Sequence, residues 1–231
     1  MEVPLTPLAL AERAFQVYGD RCAVLDEEGT LTYRELEARV TRLAGALRML
    51  GVHRGDAVAL LAPNTAAGLE CYTGVPLAGA VLVPMNTRLH PDDYGYILDH
   101  AGVRCLVADA SLLDRVQSVL SHFPRLIVVV MGGEPQAGRL DYEEILAAAT
   151  PLPMDAGSVD ERGIITLNYT SGTTARPKGV AITHRGAWTN AVNMVFALGL
   201  RREDTHLHVA PMFHANGWGF VLMGHSPKPL D

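Results

Sequence analysis

A stretch rich in hydroxyl groups, residues 167–180, is the part of the sequence best suited to chemistry. Five hydroxyl side chains, two glycines and two cations fall within eleven positions, and these are Tyr169, Thr170, Ser171, Thr173, Thr174, Gly172, Gly179, Arg176 and Lys178. Glycine lets a backbone approach a ligand closely, and hydroxyls, free N–H groups and a lysine all bind phosphate oxygens. Apolar residues lie on both sides, which predicts a polyphosphate-binding loop between two strands.

The spacing of this loop differs from that of the P-loop nucleotide hydrolases. Gly172 and Lys178 are spaced as in G-x-x-x-x-G-K-[ST], but Pro177 precedes the lysine and Gly179 follows it. No helical pattern begins directly after the lysine. A kinase-type or GTPase-type site is therefore excluded. The structural alternative is a polar surface loop, which the density of hydroxyls and the interior lysine disfavour.

A second stretch with candidate chemistry is residues 211–219, where His214 follows an apolar run at a turn rich in proline and glycine. Taken alone, a histidine in such a place is more often structural than catalytic. The remaining histidines considered, His184, His206 and His208, are interpreted as structural. No His, Cys and Asp residues have metal-site spacing, and Ser171 lacks the G-x-S-x-G context of a nucleophile elbow.

Composition bounds the class of protein. The 231 residues are 48% apolar and carry a net charge of −6. Such a chain can bury a core in one large domain or two small ones, and without a basic tract it has no evident nucleic-acid or anionic-membrane partner. Cys22, Cys71 and Cys105 lie far apart in apolar surroundings, as buried cysteines of a reducing compartment do. Because neither a signal-peptide pattern nor a membrane-length apolar run is present, the expected location is cytoplasmic.

The elements that must position these residues alternate between helix and strand. Helices are predicted at 7–18, 32–50, 65–77, 91–100, 112–120, 142–149 and 183–198, and strands at 23–26, 29–31, 57–61, 80–83, 104–108, 125–131, 205–210 and on both sides of the loop. Thr32 and Glu35 form a capping box. The residues expected on the solvated face of the second helix are Arg34, Glu37, Arg39 and Arg42. Continuously apolar strands between helices predict the α/β class, with mostly parallel sheets flanked by helices.

Residues 169–180, Tyr-Thr-Ser-Gly-Thr-Thr-Ala-Arg-Pro-Lys-Gly-Val, closely resemble the signature loop of the adenylate-forming superfamily. This superfamily contains acyl-CoA synthetases, the adenylation domains of peptide synthetases and beetle luciferases. Ala175 departs from the glycine usual there, at a cost on the order of 1 kcal/mol if the backbone needs a positive φ. Residues 31–36, 54–58, 79–86 and 97–109 match the early core of the family, and residues 211–219 resemble a second family motif.

The resemblance implies an acid–thiol ligase that uses ATP, Mg²⁺ and coenzyme A. A carboxylic acid, a fatty acid in many members, is converted to an acyl-adenylate and then to an acyl-CoA. The residues assigned to the ATP phosphates are Thr170, Ser171, Gly172, Thr173, Thr174 and Lys178. Thr170 is also assigned as a hydroxyl ligand of Mg²⁺, and Arg176 is expected to face solvent.

The resemblance also assigns the second motif to the acid. His214 is the expected catalytic residue, beside the reacting carboxylate, and it contacts the substrate together with Asn216, Gly217 and Trp218. Trp218 would gate the acyl tunnel, although plain core packing is its structural alternative.

Relatives in this superfamily are more than twice as long as this chain. Residues 1–231 are therefore expected to be a truncated N-terminal AMP-binding domain without the C-terminal lid domain. Residues 221–231 are an atypical tail, in which Pro, Lys and Ser replace an expected apolar run. Strands contributed by the rest of the family fold would be missing, so we expect exposed apolar surface and exposed strand edges.

Three functions remain open from the sequence. The first is the N-terminal part of an ATP-dependent acyl-CoA synthetase for a fatty or aryl acid, with small molecules as its partners and a homodimer left open. The second is a catalytically inactive remnant that at most binds nucleotide phosphates. The third is an adenylation domain that loads a carrier protein, which the motif at 211–219 disfavours.

Overall fold

The computed structural model describes residues 3–134, 137–170, 176–201 and 204–214. The helices are α1 (Pro7–Tyr18), α2 (Tyr33–Met49), α3 (Ala66–Leu77), α4 (Pro91–His100), α5 (Gln117–Leu120), α6 (Tyr142–Ala148) and α7 (His184–Leu198). The strands are β1 (Cys22–Asp26), β2 (Gly29–Thr32), β3 (Ala57–Leu61), β4 (Val81–Pro84), β5 (Val103–Asp109), β6 (Ile127–Met131), β7 (Leu140–Asp141), β8 (Ile164–Thr170) and β9 (Lys178–Thr183). Short 3₁₀ helices span Ala110–Arg115 and Ala156–Ser158.

Seven of the strands form one sheet in the order β7-β6-β5-β3-β4-β8-β9. All neighbours are parallel except β8 and β9, which pair in antiparallel fashion. Strands β1 and β2 form a separate antiparallel pair. The predicted α/β class, a mostly parallel sheet flanked by helices, is therefore confirmed, and so is the strand–loop–strand arrangement around the hydroxyl-rich loop.

Threonine side chains cap the N-termini of four of the helices. Thr6, Thr32, Thr65 and Thr183 each accept a backbone N–H of the first helical turn. At α2 the predicted capping box is complete, because Glu35 Oε2 accepts the N–H of Thr32 at 2.7 Å. Helix α7 ends at Gly199, whose left-handed φ of 61° suits glycine. Local sequence signals thus fix where these helices begin and end.

The core lies in two layers, one on each face of the large sheet. On one face α2, α3, α6 and α7 pack over Val58 and Leu60 of β3. On the opposite face α4, α5 and the 3₁₀ helix Ala110–Arg115 pack over Ala59 and Leu61 of the same strand. Strand β3 is buried along its whole length, as a strand covered on both faces by helices must be.

A buried ionic network joins α2, α3 and α6. Glu70 is fully buried, and its carboxylate accepts hydrogen bonds from Arg39 Nε at 2.5 Å and from the Tyr142 hydroxyl at 2.7 Å. The Arg39 guanidinium also donates to Glu143 of α6. Burial raises the pKa of Glu70, and the two donors act in the opposite direction. The prediction that Arg39 lies on the solvated face of its helix was wrong, because α6 packs beside it.

Two predicted elements differ from the structure. Residues 112–120 form most of a 3₁₀ helix followed by the four-residue α5, and the buried Leu113, Val116 and Val119 recur every three residues, which is the 3₁₀ period. Residues 205–210 are not a strand. The carbonyls of His208 and Ala210 in that segment accept hydrogen bonds from a side chain, the Nδ2 of Asn64.

The three cysteines are free thiols in different surroundings. Cys71 and Cys105 are buried as predicted, and burial raises the pKa of Cys105 to about 12. The prediction of burial was wrong for Cys22, which is exposed. It lies on β1, and a two-stranded sheet leaves part of each strand uncovered.

Apolar surface is exposed at the β9 end of the sheet, in agreement with the sequence-based expectation. The first four residues of β9 are exposed, and Phe196 and Leu198 of α7 are 79% and 54% exposed. Leu207 and Val209 are also exposed. In the described part of the chain no helix is both long and apolar enough to cross a bilayer.

Candidate functional site

Strands β8 and β9 are the two stems of the hydroxyl-rich loop. Their register places Thr170 directly opposite Lys178 and Tyr169 opposite Gly179. Directly opposed residues of an antiparallel pair point to the same face of a sheet, with their Cβ atoms about 5 Å apart. The Thr170 hydroxyl and the Lys178 ammonium therefore belong to one exposed face at the mouth of the hairpin.

The mouth of the hairpin lies at the carboxyl edge of the parallel strands. Strands β3, β4 and β8 are neighbours and run in the same direction, so their last residues and the loops that follow meet at one edge. In open α/β sheets ligands bind outside the carboxyl ends of the strands. Asn64 follows β3, Thr87 and Arg88 follow β4, and Thr170 ends β8.

Asn64 brings the second motif to this edge. Its amide Nδ2 donates to the carbonyl of Ala210 at 2.9 Å and, more weakly, to that of His208 at 3.4 Å. Its Oδ1 accepts the N–H of Met212 at 2.9 Å. Two residues further on is His214, whose N–H donates to the carbonyl of Pro211 at 3.0 Å and closes a turn.

A cavity of about 160 Å³ lies between the loop after β3, the loop after β4 and residues 209–213. Its lining consists of Ala62, Pro63, Asn64, Thr87, Arg88, Val209, Pro211 and Phe213. The lining combines apolar side chains with an amide, a hydroxyl and a guanidinium. With a volume of about 160 Å³ the cavity is smaller than most small-molecule pockets, which span about 300 to 1,000 Å³.

Helix α4 contacts the β8 stem and the residue two positions before β9. The Tyr169 hydroxyl and His100 Nδ1 form a 2.7 Å hydrogen bond, and the Arg176 guanidinium lies 5.3 Å from the centre of the Tyr96 ring. Burial, with a smaller effect of Tyr96, raises the pKa of Tyr169 to about 12, so the phenol is neutral at ordinary pH. Arg176 is exposed, as expected, and it also contacts this aromatic face.

Two buried polar side chains precede Thr170 on alternate positions of β8. The Thr166 hydroxyl donates to the carbonyl of Leu82 at 2.9 Å and lies 3.0 Å from Oδ1 of Asn168. Asn168 is 6% exposed, and its Nδ2 has no hydrogen-bond partner within the described residues. Because alternate strand residues share a face, this amide lies on the same face as the Thr170 hydroxyl.

The structure describes three of the predicted site residues, namely Thr170, Lys178 and His214. It brings the first two together at the hairpin and carries the third to the same sheet edge. Other predicted residues lie outside the described part of the chain, and these are Ser171, Gly172, Thr173, Thr174, Asn216, Gly217 and Trp218. Their roles stay predictions.

The residues present suit a magnesium ion that arrives with a nucleotide. Within the described residues there is no cluster of three or more His, Cys, Asp or Glu side chains that could hold a metal. Mg²⁺ is commonly held by one or two protein oxygens together with substrate phosphates. The exposed Thr170 hydroxyl fits such a shared ligand set.

Sequence reasoning missed three residues that the structure places here. Asn64 was given no role in the site, and Tyr96 and His100 were only parts of the helix predicted at 91–100. Tyr96 and His100 are four residues apart and share a helix face, which is the one sequence signal they carry. The signal gains meaning only once α4 is known to pack beside the loop stems.

The chain matches the family described as AMP-binding enzymes over residues 11–226. It is 36% identical to a butyrate–CoA ligase of Arabidopsis thaliana, named as peroxisomal, in an alignment that covers 94% of this chain and 40% of the relative. A solved anthranilate CoA ligase in complex with anthranoyl-AMP superposes with a TM-score of 0.90 at 27% identity, over 99% of this chain and 45% of the other.

A benzoate CoA ligase from Burkholderia xenovorans LB400 superposes with a TM-score of 0.81 at 31% identity, over 93% of this chain and 42% of the other. The chain thus spans about two fifths of the length of the curated relative and of these solved ligases. The sequence and the fold of the chain match those of these ligases over nearly all of its residues. The chain belongs to the family of AMP-binding enzymes.

Proposed function

We propose that the protein activates a carboxylic acid with ATP, forming an acyl-adenylate and pyrophosphate, and transfers the acyl group to the thiol of coenzyme A. One observation carries this proposal. The β8–β9 hairpin sets Thr170 opposite Lys178 at the same sheet edge to which Asn64 fastens the segment that ends at His214. A reaction between ATP and an acid needs a phosphate site and an acid site side by side.

Each described residue has a chemical role in the proposal. The Lys178 ammonium offsets negative charge on the phosphates, and the Thr170 hydroxyl binds a phosphate oxygen or the cation that accompanies it. Mg²⁺ bound with the nucleotide would supply further positive charge to the phosphates. His214 lies beside the carboxylate and orients it. Ser171, Gly172, Thr173 and Thr174 are proposed as further phosphate contacts.

The acid that we propose first is a fatty acid. Asn216, Gly217 and Trp218 are proposed to line its pocket. The names of the relatives include butyrate, benzoate and anthranilate ligases, so short-chain and aryl acids belong in the same test.

The proposed activity is tested by ATP–pyrophosphate exchange with residues 1–231, Mg²⁺ and a panel of short, medium, long and aromatic acids. Lys178→Ala should lower exchange about tenfold or more, because it removes a charge-assisted contact to phosphate. Lys228→Ala is the matched control, since Lys178 and Lys228 are the only lysines in the sequence. Lys228 lies outside the loop, and its replacement should leave exchange unchanged.

The outcomes separate the candidate functions. Exchange with any acid, followed by thioester formation on coenzyme A, supports the ligase. Acyl transfer to a carrier-protein thiol in place of coenzyme A would identify a carrier-loading domain. A folded protein that binds ATP but exchanges no pyrophosphate with any acid would contradict the ligase and identify a protein that only binds nucleotide phosphates.

We propose the cytoplasm as the compartment and leave a homodimer as the assembly to be tested. The proposal of a cytoplasmic location rests on composition, while the Arabidopsis relative is named as peroxisomal. Imaging of a fluorescent fusion and light scattering of the purified protein measure these two properties directly.

A further inference from the structure

Asn64 has a place in the structure that its local sequence does not explain. It lies in the short loop between β3 and α3, where Thr65 caps the helix through the N–H of Gly68 at 3.1 Å. A buried strand on one side and a capped helix on the other hold this loop. The Asn64 side chain is therefore presented from a rigid support at the carboxyl edge of the sheet.

The amide of Asn64 binds one segment through both of its ends. Nδ2 donates to the carbonyls of Ala210 and His208, and Oδ1 accepts the N–H of Met212. These partners are 144 to 148 residues away in sequence. The amide donates two hydrogen bonds from Nδ2 and accepts one at Oδ1, whereas a hydroxyl has one proton to donate and a carboxylate has none.

The segment that Asn64 binds leads directly to His214. Met212 is buried, and its side chain lies beside Gly68 in the first turn of α3. The hydrogen bond from His214 N–H to the carbonyl of Pro211 then fixes the turn that carries the imidazole. Asn64 therefore binds the backbone at residues 210 and 212, only two residues before His214.

We propose that Asn64 is a positioning residue for His214, holding residues 208–212 against the β3–α3 loop so that the imidazole faces the acid. This proposal rests on the ligase function proposed above. In it Asn64 does not touch the reacting atoms, and its effect on the reaction passes through His214. The stems of the phosphate loop are β8 and β9, so phosphate binding does not depend on Asn64.

The proposed hold of Asn64 on residues 208–212 is tested by hydrogen–deuterium exchange of peptides that cover residues 204–214. Asn64→Ala removes the donor and the acceptor. Asn64→Asp keeps the shape and the acceptor, but it removes the donor and sets a charge against two carbonyl oxygens. Both variants should exchange at least about fivefold faster in this segment, with β3 peptides unchanged. Asn193→Ala, which alters an exposed asparagine on α7, is the matched control.

The two substitutions separate hydrogen bonding from packing. If Asn64 acted only through its shape, Asn64→Asp would behave like the wild type, and this result would overturn the proposal. Unchanged exchange in both variants would overturn it as well. Because this measurement does not use substrate, it judges the contact even in a protein without catalytic activity.

The proposed effect of Asn64 on the reaction, which passes through His214, is tested by a double-mutant cycle with pyrophosphate exchange as the readout. Asn64→Ala should lower kcat while the KM for ATP stays within about twofold. In a His214→Ala background the same substitution should have no further effect on kcat. Additive losses would show that Asn64 acts by another route. If the wild type exchanges no pyrophosphate with any acid, the proposed function itself fails, and the positioning role for the reaction fails with it.

Discussion

His184 makes the stability of the fold depend on pH. The side chain is 7% exposed at the start of α7, and its Nδ1 lies 2.8 Å from the hydroxyl of Thr6, the N-cap of α1. That hydroxyl already accepts the N–H of Leu8, so it can donate its proton to a neutral imidazole. Burial, followed by the charge of Arg54 and partly opposed by Asp160, lowers the pKa of His184 to about 4.

The sign and size of the effect follow from proton binding. Between the unfolded pKa of about 6.5 and the folded pKa of about 4, the unfolded chain binds a proton that the folded chain does not, so the free energy of unfolding decreases as the pH falls. One pKa unit corresponds to about 1.4 kcal/mol. We therefore expect a loss of about 2 kcal/mol at about pH 5 and of about 3 kcal/mol at about pH 4.

The measurement is urea unfolding of the wild type and of His184→Gln from about pH 7.5 to about pH 5. The glutamine keeps a neutral acceptor for Thr6 but does not titrate. Carboxylates and the other histidines titrate in both proteins and cancel in the difference between them. The stability difference should shift in favour of the variant by about 2 kcal/mol as the pH falls. A difference that stays constant over this range would refute the reasoning.

Three further predictions concern packing and the loop stems. Gly45→Ala should lower the free energy of unfolding by about 1 to 3 kcal/mol, because the new methyl group overlaps the carbonyl oxygen of Thr150. Gly95→Ala is the comparison: its methyl group meets only ordinary contacts, so it should raise the free energy of unfolding by up to about 1 kcal/mol, and thermal unfolding measures both variants. Glu70→Ala should cost about 2 kcal/mol or more in urea unfolding, because it leaves the buried Tyr142 hydroxyl and the Nε of Arg39 without their acceptor, and a cost below about 1 kcal/mol would contradict this. Tyr169→Phe should weaken ATP binding about fivefold in calorimetry by releasing one stem from α4, while acid binding stays unchanged; equal losses for both ligands would argue against a role at the stem.

Local signals in the sequence predicted most of the elements. The capping box of Thr32 and Glu35 and the continuously apolar strands are patterns within a few residues, and the structure confirms them. The 3₁₀ helix at Ala110–Arg115 was missed because apolar residues three apart also suit an α-helix. Patterns of this kind predict that a segment is helical better than they predict whether the helix is of the α or the 3₁₀ type.

Contacts between distant parts of the chain could not be predicted in the same way. Arg39 has the spacing of a solvent-facing residue, and only the packing of α3 and α6 beside α2 reveals its bonds to Glu70 and Glu143. Asn64 follows a strand, where asparagine commonly ends an element, and its partners lie more than 140 residues later. The sequence indicated Thr170, Lys178 and His214 as site residues, and their roles stay predictions; it did not indicate the side chains that contact the segments carrying them.

The antiparallel pairing of β8 with β9 has a consequence for how a nucleotide is held. Where a helix follows a phosphate loop, its aligned peptide dipoles add up to a partial positive charge that faces the anion. Strand dipoles alternate and nearly cancel, so the stem that follows this loop contributes little field of its own. In the proposed function the charge on the phosphates is balanced by the accompanying Mg²⁺ and by side chains such as the exposed Lys178, whose attraction is screened by dissolved ions. We therefore expect the proposed nucleotide affinity to fall as the ionic strength rises.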